Sequence, residues 1–369
     1  MLVIDNPTVE QVLTVHEVID ALEECHRALA SGEAVNAPNY RVFTPRDGKD
    51  YGPRFPQGGH PTHHAFTSLT GSIATLDVTS DRVDSDIITY VKRDGRLREI
   101  RVPGTPDRKF CGMIYLYSSK TGELLSIIHD GYLQKFRVAG TAAIGTKYLA
   151  RKDAKVMALI GTGWQAQAQV LCQAAVRKLD KVKVYSPTPG NAAAFAKRWS
   201  DEAGVEIEPA ASAREACKGS DFIITATNAP EAVVMADWLE PGQFITGVKD
   251  VELEMAGWER CDPLVVNRMG AFWQRYAIGG TDIIPEQGRD HIGRVSKKIN
   301  WDNVPLLGDV MLGKHPGRTS DEQITGMILA GDGVQFTAVG ARIFKLCKER
   351  GLGVDLPREL FLQDEKYIP

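Results

Sequence analysis

KVMALIGTGWQAQAQVLCQAAV, residues 155–176, decides how the rest of this chain is read. Val156 to Ile160 form a short apolar run of the kind that is buried on both faces in a parallel sheet. The chain then turns at Gly161-Thr162-Gly163 into a segment in which Ala166, Val170, Leu171 and Ala174 have helical spacing. Strand, glycine turn and helix in that order make a dinucleotide-binding unit. Gly161 permits the tight turn, Gly163 lets a pyrophosphate approach the backbone, and Ala166 is small enough for the helix to pack on the strand. A phosphate would rest on the open N–H groups of the helix start, beside Thr162, Trp164 and Gln165, where the macrodipole favours an anion. An ordinary strand-to-helix turn uses the same glycines, so the strand before and the helix after are what favour a nucleotide.

Working outward towards the C-terminus, a second strand from Val182 to Tyr185 ends in Ser186-Pro187-Thr188. NAD enzymes usually place an acid there to hold the ribose 2′-hydroxyl. An acid would repel a 2′-phosphate, whereas Ser186 and Thr188 can donate hydrogen bonds to one, with Lys197 or Arg198 near in sequence. The expectation is therefore NADP(H) ahead of NAD(H). Helices at 190–202 and 212–218 alternate with strands at 205–208, 222–226 and 244–248, and 264–266 reads as a sixth strand. The tips Thr225-Ala226-Thr227 and Gly247-Val248-Lys249-Asp250 lie at carboxyl ends, where open α/β sheets bind ligands, and are expected to face the nicotinamide. Asp250 is the carboxylate immediately there; a helix N-cap before Glu252 and Glu254 is its structural alternative.

Towards the N-terminus, residues 8–32 read as one helix, capped by Thr8 and stopped at Gly32. The proline- and glycine-rich stretch 39–71 contains Arg41 in a strand-like alternation between Tyr40 and Val42, a candidate anion binder or a plain surface arginine. Strands within 72–91, 110–117 and 123–129, with a hairpin turn at Lys120-Thr121-Gly122, give a mostly antiparallel sheet across 40–130. Residues 92–109, with about ten charges, read as a solvated loop. His60, His63 and His64 lie in a turn-rich segment without a partner cysteine or an H-E-x-x-H helix, so no metal site is expected. From Gly131 onward, Ala139, Gly140, Ala142, Ala143 and Gly145 mark a tightly packed helix. Arg137 lies near its start, suited to a carboxylate or a phosphate unless an internal ion pair takes it. Residues 268–300 are polar and irregular, 306–312 read as a short helix, and a last helix runs over 334–350 to Gly351.

A length of 369 residues with 43% hydrophobic content allows two or three domains, and a net charge of −3 gives no pull towards nucleic acid or membrane. The six cysteines are widely spaced, which fits buried small hydrophobes and not a disulfide framework or zinc ribbon. The start lacks the basic-then-apolar order of a secretory signal, and no run approaches about 18 apolar residues, so a cytoplasmic protein is expected.

Taken together, the motifs resemble the ornithine cyclodeaminase/μ-crystallin family over nearly the whole chain. The resemblance rests on Arg137 with the small residues leading to Lys147-Tyr148-Leu149-Ala150, on Gly161-Thr162-Gly163-Trp164-Gln165-Ala166, on Thr225-Ala226-Thr227 and Gly247, and on Leu307-Gly308-Asp309-Val310 with Gly313 and Gly317-Arg318. Ile324-Thr325, Gly333-Val334-Gln335-Phe336 and Gly351-Leu352-Gly353 are similar to a branch with a longer N-terminal domain. The resemblance implies a Rossmann-type doubly wound parallel sheet over 136–324, and an N-terminal α/β substrate and dimerisation domain over 1–135, completed by the C-terminal helix within 325–369.

It further implies a homodimer that oxidises amino acids or reduces imines with NAD(P)H. Arg41 and Arg137 match the arginines that hold the substrate carboxylate, and Arg82 stands where many members have a lysine that touches the substrate; together the three arginines are expected to neutralise that carboxylate. Asp250 matches the family's catalytic aspartate with a one-residue shift, so Lys249 is the other candidate for that slot, and Leu329 stands where relatives carry a serine. The leading expectation is an NAD(P)-dependent oxidoreductase acting on the C–N bond of an α-amino or α-imino acid. The alternatives are a redox-neutral cyclodeaminase that releases ammonia and a non-catalytic NADPH-dependent binding protein.

Overall fold

Two sheets and one long helix between them organise the computed structural model of the chain, which describes residues 1–363 apart from 94–95, 230, 270–272, 286–295 and 297. The chain opens with β1 (Leu2–Ile4), α1 (Asn6–Val12) and α2 (Val15–Ser31). The single helix expected over 8–32 is thus two. Asp5 caps the first by accepting the Thr8 N–H, and Thr14 starts the second by accepting the Glu17 N–H at 3.2 Å. Gly32 ends α2 at φ 81°, a left-handed conformation that suits glycine.

Then come β2 (Ala34–Asn36), β3 (Asn39–Arg46), β4 (Thr62–Ile73), β5 (Val78–Arg93), β6 (Arg96–Val102), β7 (Cys111–Ser118) and β8 (Leu124–His129). The run β3-β4-β5-β7-β8 is antiparallel throughout, as expected, with β2 added against β4 and β6 against β5. Strand β6 lies inside the stretch read as a charged loop. Its arginines at 96, 98 and 101 mask an alternation in which Val102 is buried and Leu97 packs against the cluster around Phe43.

Helix α3 (Gly131–Leu149) leads out of this sheet. Its small residues let it lie between two bodies: a Cβ on Gly140 would meet Leu22 and Val18 of α2, and one on Gly145 would meet Met327 and Phe244. The chain continues through β9 (Val156–Ile160), α4 (Trp164–Val176), β10 (Lys181–Tyr185), α5 (Asn191–Ala203), β11 (Glu206–Pro209), α6 (Ala213–Cys217), β12 (Phe222–Thr225), β13 (Phe244–Gly247), α7 (Met255–Trp258), β14 (Leu264–Val266), β15 (Trp273–Ala277), α8 (Leu307–Met311), β16 (Thr325–Ile328), α9 (Gly333–Arg350) and β17 (Val354–Asp355). The second sheet, in the order β11-β10-β9-β12-β13-β16-β14, is parallel at every pairing. It is a Rossmann-type doubly wound sheet whose strand order reverses between β9 and β12, the place where such folds open a crevice.

The chain crosses between the two bodies more often than boundaries at 135 and 325 allow. Strand β16 sits inside the parallel sheet between β13 and β14, and β15 leaves it to pair in parallel with β3. The stretch 268–300 therefore contains a strand, and its residues 270–272, 286–295 and 297 lie outside the described residues. Helix α9 completes the first body: Gly71 and Gly333 allow backbone contact, and the Thr337 hydroxyl donates to the Gly71 carbonyl at 3.1 Å. Beside it, β1 and β17 extend the edge of the antiparallel sheet.

Candidate active site

At the crevice, Gly161 has φ 118° and its N–H donates to the Tyr185 carbonyl at 2.9 Å. A Cβ there would collide with the Ala226 carbonyl, so glycine brings the turn after β9 directly against the tip of β12. Gly163 begins α4 without a side-chain cap, and a Cβ built on it meets nothing within 4 Å. The space beside Gly163 is open at the start of α4, and the buried Gln165 Oε1 has no partner. Trp164 is exposed, Thr162 is half-buried and Ala166 is buried against the sheet. These features fit the pyrophosphate of a dinucleotide. At the tip of β10, Ser186 Oγ accepts the Thr188 N–H at 3.3 Å. The Arg198 guanidinium lies over the neighbouring Trp199 ring at 5.5 Å, and Lys197 is exposed.

The tips of β12 and β13 are joined by a residue that the sequence did not single out for the site. Glu252 is fully buried and accepts from Thr225 Oγ1 at 2.9 Å, Thr227 N at 2.7 Å, Thr227 Oγ1 at 2.5 Å and Lys249 N at 3.2 Å. Burial raises its pKa above the usual carboxylate value, and the Thr227 and Thr225 hydrogen bonds and the Lys249 charge offset part of that rise. Lys249 is exposed and its Nζ reaches the Ala229 carbonyl at 3.4 Å. Asp250 is half-buried at the start of a 3-10 turn, with its backbone carbonyl accepting from Trp258 Nε1 at 2.8 Å. Between the two tips, Gly247 is buried and Val248 half-buried.

The arginines line the facing wall. Arg41, Thr67 and Asp84 stand opposite one another across β3, β4 and β5, and Arg82 is the next residue along β5 on the same face. Arg41 Nε donates to Thr67 Oγ1 at 3.0 Å, and its NH1 is 3.8 Å from Glu99. Arg82 is 3% exposed and is taken up by two carboxylates: Nε donates to Asp130 Oδ2 at 2.6 Å, and NH1 pairs closely with Asp84. Arg82, expected at the substrate, is thus held between two carboxylates of its own chain. Asp130 reaches it through the space left by Gly112, where a Cβ would strike the Asp130 carboxylate.

Arg137 is different. It is 8% exposed, its NH1 donates to Gln335 Oε1 at 3.0 Å, its Nε has no partner, and among the described residues no carboxylate pairs with it. Burial first, and Arg82 second, pull its pKa down to about 10. Arg82 and Arg137 both lie over the Phe336 ring, 4.9 and 4.7 Å from its centre. Arg137 also abuts Gly331, three residues beyond the end of β16, so the arginine wall meets the carboxyl edge of the parallel sheet there. In the same segment, Asp332 caps α9 through the Gln335 N–H at 3.0 Å, and burial pushes it up to about 6.

Asp84, Asp130, Glu252, Asp332 and Gln335 were not read as site residues from sequence. Asp84 could have been, as the i+2 neighbour of Arg82 on one strand face. Leu329 is buried beside this segment. His63 is buried edge-on to Phe43 and His64 reaches Ser85 at 3.0 Å; among the described residues no group of side chains could hold a metal ion. The six cysteines are unpaired, and five are buried.

The model of the ornithine cyclodeaminase/mu-crystallin family matches residues 105–344. Among curated proteins, a Δ1-pyrroline-2-carboxylate reductase of Bacillus cereus is 30% identical over 242 residues, 66% of this chain and 73% of that protein. Among solved structures, the Δ1-pyrroline-2-carboxylate reductase of Thermococcus litoralis, in complex with NADH and L-proline, is 25% identical with a TM-score of 0.73, covering 96% of this chain and 100% of that one. An archaeal alanine dehydrogenase dimer with bound NAD, at 23% identity, shares the fold with a TM-score of 0.74 over 97% and 99% of the two chains.

Proposed function

The chain belongs to the ornithine cyclodeaminase/mu-crystallin family, and from that premise we propose that it is an NAD(P)-dependent oxidoreductase acting on the C–N bond of an α-amino or α-imino acid. The observation that carries this reading is Arg137, a buried guanidinium with which no carboxylate among the described residues pairs, at the seam between the arginine wall and the strand tips. A buried cation without a counter-ion is costly unless something anionic arrives. A substrate carboxylate satisfies it, with Arg41 as the second contact. Arg82, already neutralised by Asp84 and Asp130, acts behind them by holding the Phe336 ring on which Arg137 also lies.

The residues that would hold the dinucleotide are Gly161, Thr162, Gly163, Trp164, Gln165 and Ala166 at the turn, Ser186 and Thr188 at the ribose, and Thr225, Ala226, Thr227, Gly247 and Val248 at the tips. When bound, the cofactor supplies or accepts the hydride at nicotinamide C4. The protein's part is to fix the carboxylate so that the α-carbon is aimed at that position, and to manage one proton at the substrate nitrogen. Lys249 and Asp250, at the β13 tip, are the groups proposed for that proton.

NADP(H) is proposed ahead of NAD(H), on the support of Ser186 standing where an acid would exclude a 2′-phosphate. Arg198, turned onto Trp199, adds nothing to that preference. A homodimer is proposed through the outer face of the antiparallel sheet. There Val42 and Tyr117 are exposed, while Phe66, Val83, Met113, Tyr115 and Ile127 remain half-exposed. A cytoplasmic location is proposed on unpaired cysteines, and no helix among the described residues is long and apolar enough to cross a membrane.

The test is consumption of NADPH and of NADH with a panel of cyclic imino acids and of α-keto acids mixed with ammonia or methylamine. Turnover of at least one α-imino acid is expected. Release of ammonia from a diamino acid without net change in the cofactor would point to the cyclodeaminase instead. Tight NADPH binding with no turnover of any substrate would point to the binding protein.

A further inference from the structure

We propose that the Glu252 carboxylate biases the site towards the oxidised form of the nicotinamide cofactor, by fixing a buried negative charge between the strand tips proposed to face the ring. This deepens the oxidoreductase reading above and rests on it. The two forms of the cofactor differ by one positive charge on the nicotinamide ring, which the oxidised form carries and the reduced form lacks. A fixed anion near that ring therefore discriminates between them, and in a buried setting it does so more strongly than it would in water.

The shell around Glu252 is built for the ionised form. Each carboxylate oxygen receives two hydrogen bonds, Oε1 from Thr227 N and Thr227 Oγ1, and Oε2 from Thr225 Oγ1 and Lys249 N. Two of the donors are backbone N–H groups, which cannot reverse direction. The donors come from residues 225 and 227 at the end of β12 and from residue 249 at the end of β13, so the charge lies where the two tips meet. It is also held close: a Cβ on Gly247 would collide with the Thr225 hydroxyl that binds Glu252. The Lys249 charge acts on this carboxylate through space, but its ammonium is directed to the Ala229 carbonyl at 3.4 Å, so the negative charge is offset only in part. The opposing explanation is a purely structural tie between two loops. It differs in one measurable way, because loosening a tie weakens both cofactor forms alike.

The experiment measures the Kd of NADP+ and of NADPH, and of NAD+ and NADH, for the full chain by calorimetry or fluorescence. It compares wild type with Glu252→Gln, Glu252→Asp and Lys249→Met. Glu252→Gln keeps the shape and removes the charge, and the ratio Kd(oxidised)/Kd(reduced) should rise about tenfold. Glu252→Asp keeps the charge and should leave the ratio within about twofold of wild type. Lys249→Met removes the nearest opposing charge and should move the ratio the other way, favouring the oxidised form; it carries the test by itself if Glu252→Gln does not fold. Equal changes in both constants, or a ratio that moves in the same direction in Glu252→Gln and Lys249→Met, would overturn the proposal. Wild-type protein that binds neither form would overturn the oxidoreductase reading instead.

Discussion

The two walls of the crevice hold buried charge in opposite ways. On the strand tips of the parallel sheet, a single carboxylate, Glu252, is surrounded by neutral donors. On the inner face of the antiparallel sheet, guanidinium groups meet carboxylates directly, most tightly around Arg82. Arg137 breaks that second pattern: it shares the Phe336 ring with Arg82, but among the described residues no acid pairs with it directly. The comparison separates scaffold from site. A charge whose counter-charge is built in supports the fold, and a charge whose counter-charge is missing is available to a ligand.

The sharpest way to break this distinction is to exchange Arg82 for methionine. Asp130 would lose its paired cation and Asp84 would keep only the more distant Arg101, and chemical denaturation should show a loss of about 3–5 kcal/mol. Arg137→Met breaks no direct ion pair among the described residues, so it should cost less stability than the Arg82 exchange, while kcat/KM on an α-imino acid falls by roughly 10²–10³. If the two variants exchanged phenotypes, the division between scaffold and site would be wrong.

His26 extends the comparison to a titrating group. It is buried on α2, 3.5 Å from Thr141, and burial pulls its pKa down to about 4 from 6.5. The unfolded chain then takes up a proton at this residue between pH 6.5 and 4 while the folded chain does not. Stability from His26 is therefore full above about pH 6.5 and is lost as the pH falls through that window, by up to about 3 kcal/mol. Denaturation of His26→Gln at pH 7 and pH 4.5 should show a smaller loss on acidification than wild type. The smallest effect concerns the turn: Gly163→Ala should keep the melting temperature, since its Cβ meets nothing, and weaken cofactor binding about tenfold. Gly161→Ala, forced into a positive φ and against the Ala226 carbonyl, should lower both.

How much of this was legible in the sequence follows the range of the interactions. Strand β9 was readable residue for residue, as was the stop of α9 at Gly351, because apolar runs and glycine turns act locally. Strand β6 was hidden because charged residues mask its alternation, and β15 because its partner, β3, lies far away in sequence. The double cap that splits the first helix was missed at Thr14, although serine and threonine caps are a local signal. In the site, Arg137 could be picked out, but its lack of a counter-ion could not. The ion pairs of Arg82 were not legible, because Asp130 arrives through a gap that only the pairing of β5 with β7 creates at Gly112. Glu252 could not be picked out from sequence because its hydrogen bonds form only where the 225–227 tip and the turn at 249–252 converge.

The most direct test of the central claim, that Arg137 receives the substrate carboxylate, is a cycle of kcat/KM values. It combines wild type and Arg137→Met with the best α-imino acid and the same imine lacking its carboxylate. The expected result is non-additive: removing the carboxylate costs wild type roughly 10²–10³ and costs Arg137→Met almost nothing further. Equal losses in the two proteins would mean that Arg137 and the carboxylate never meet.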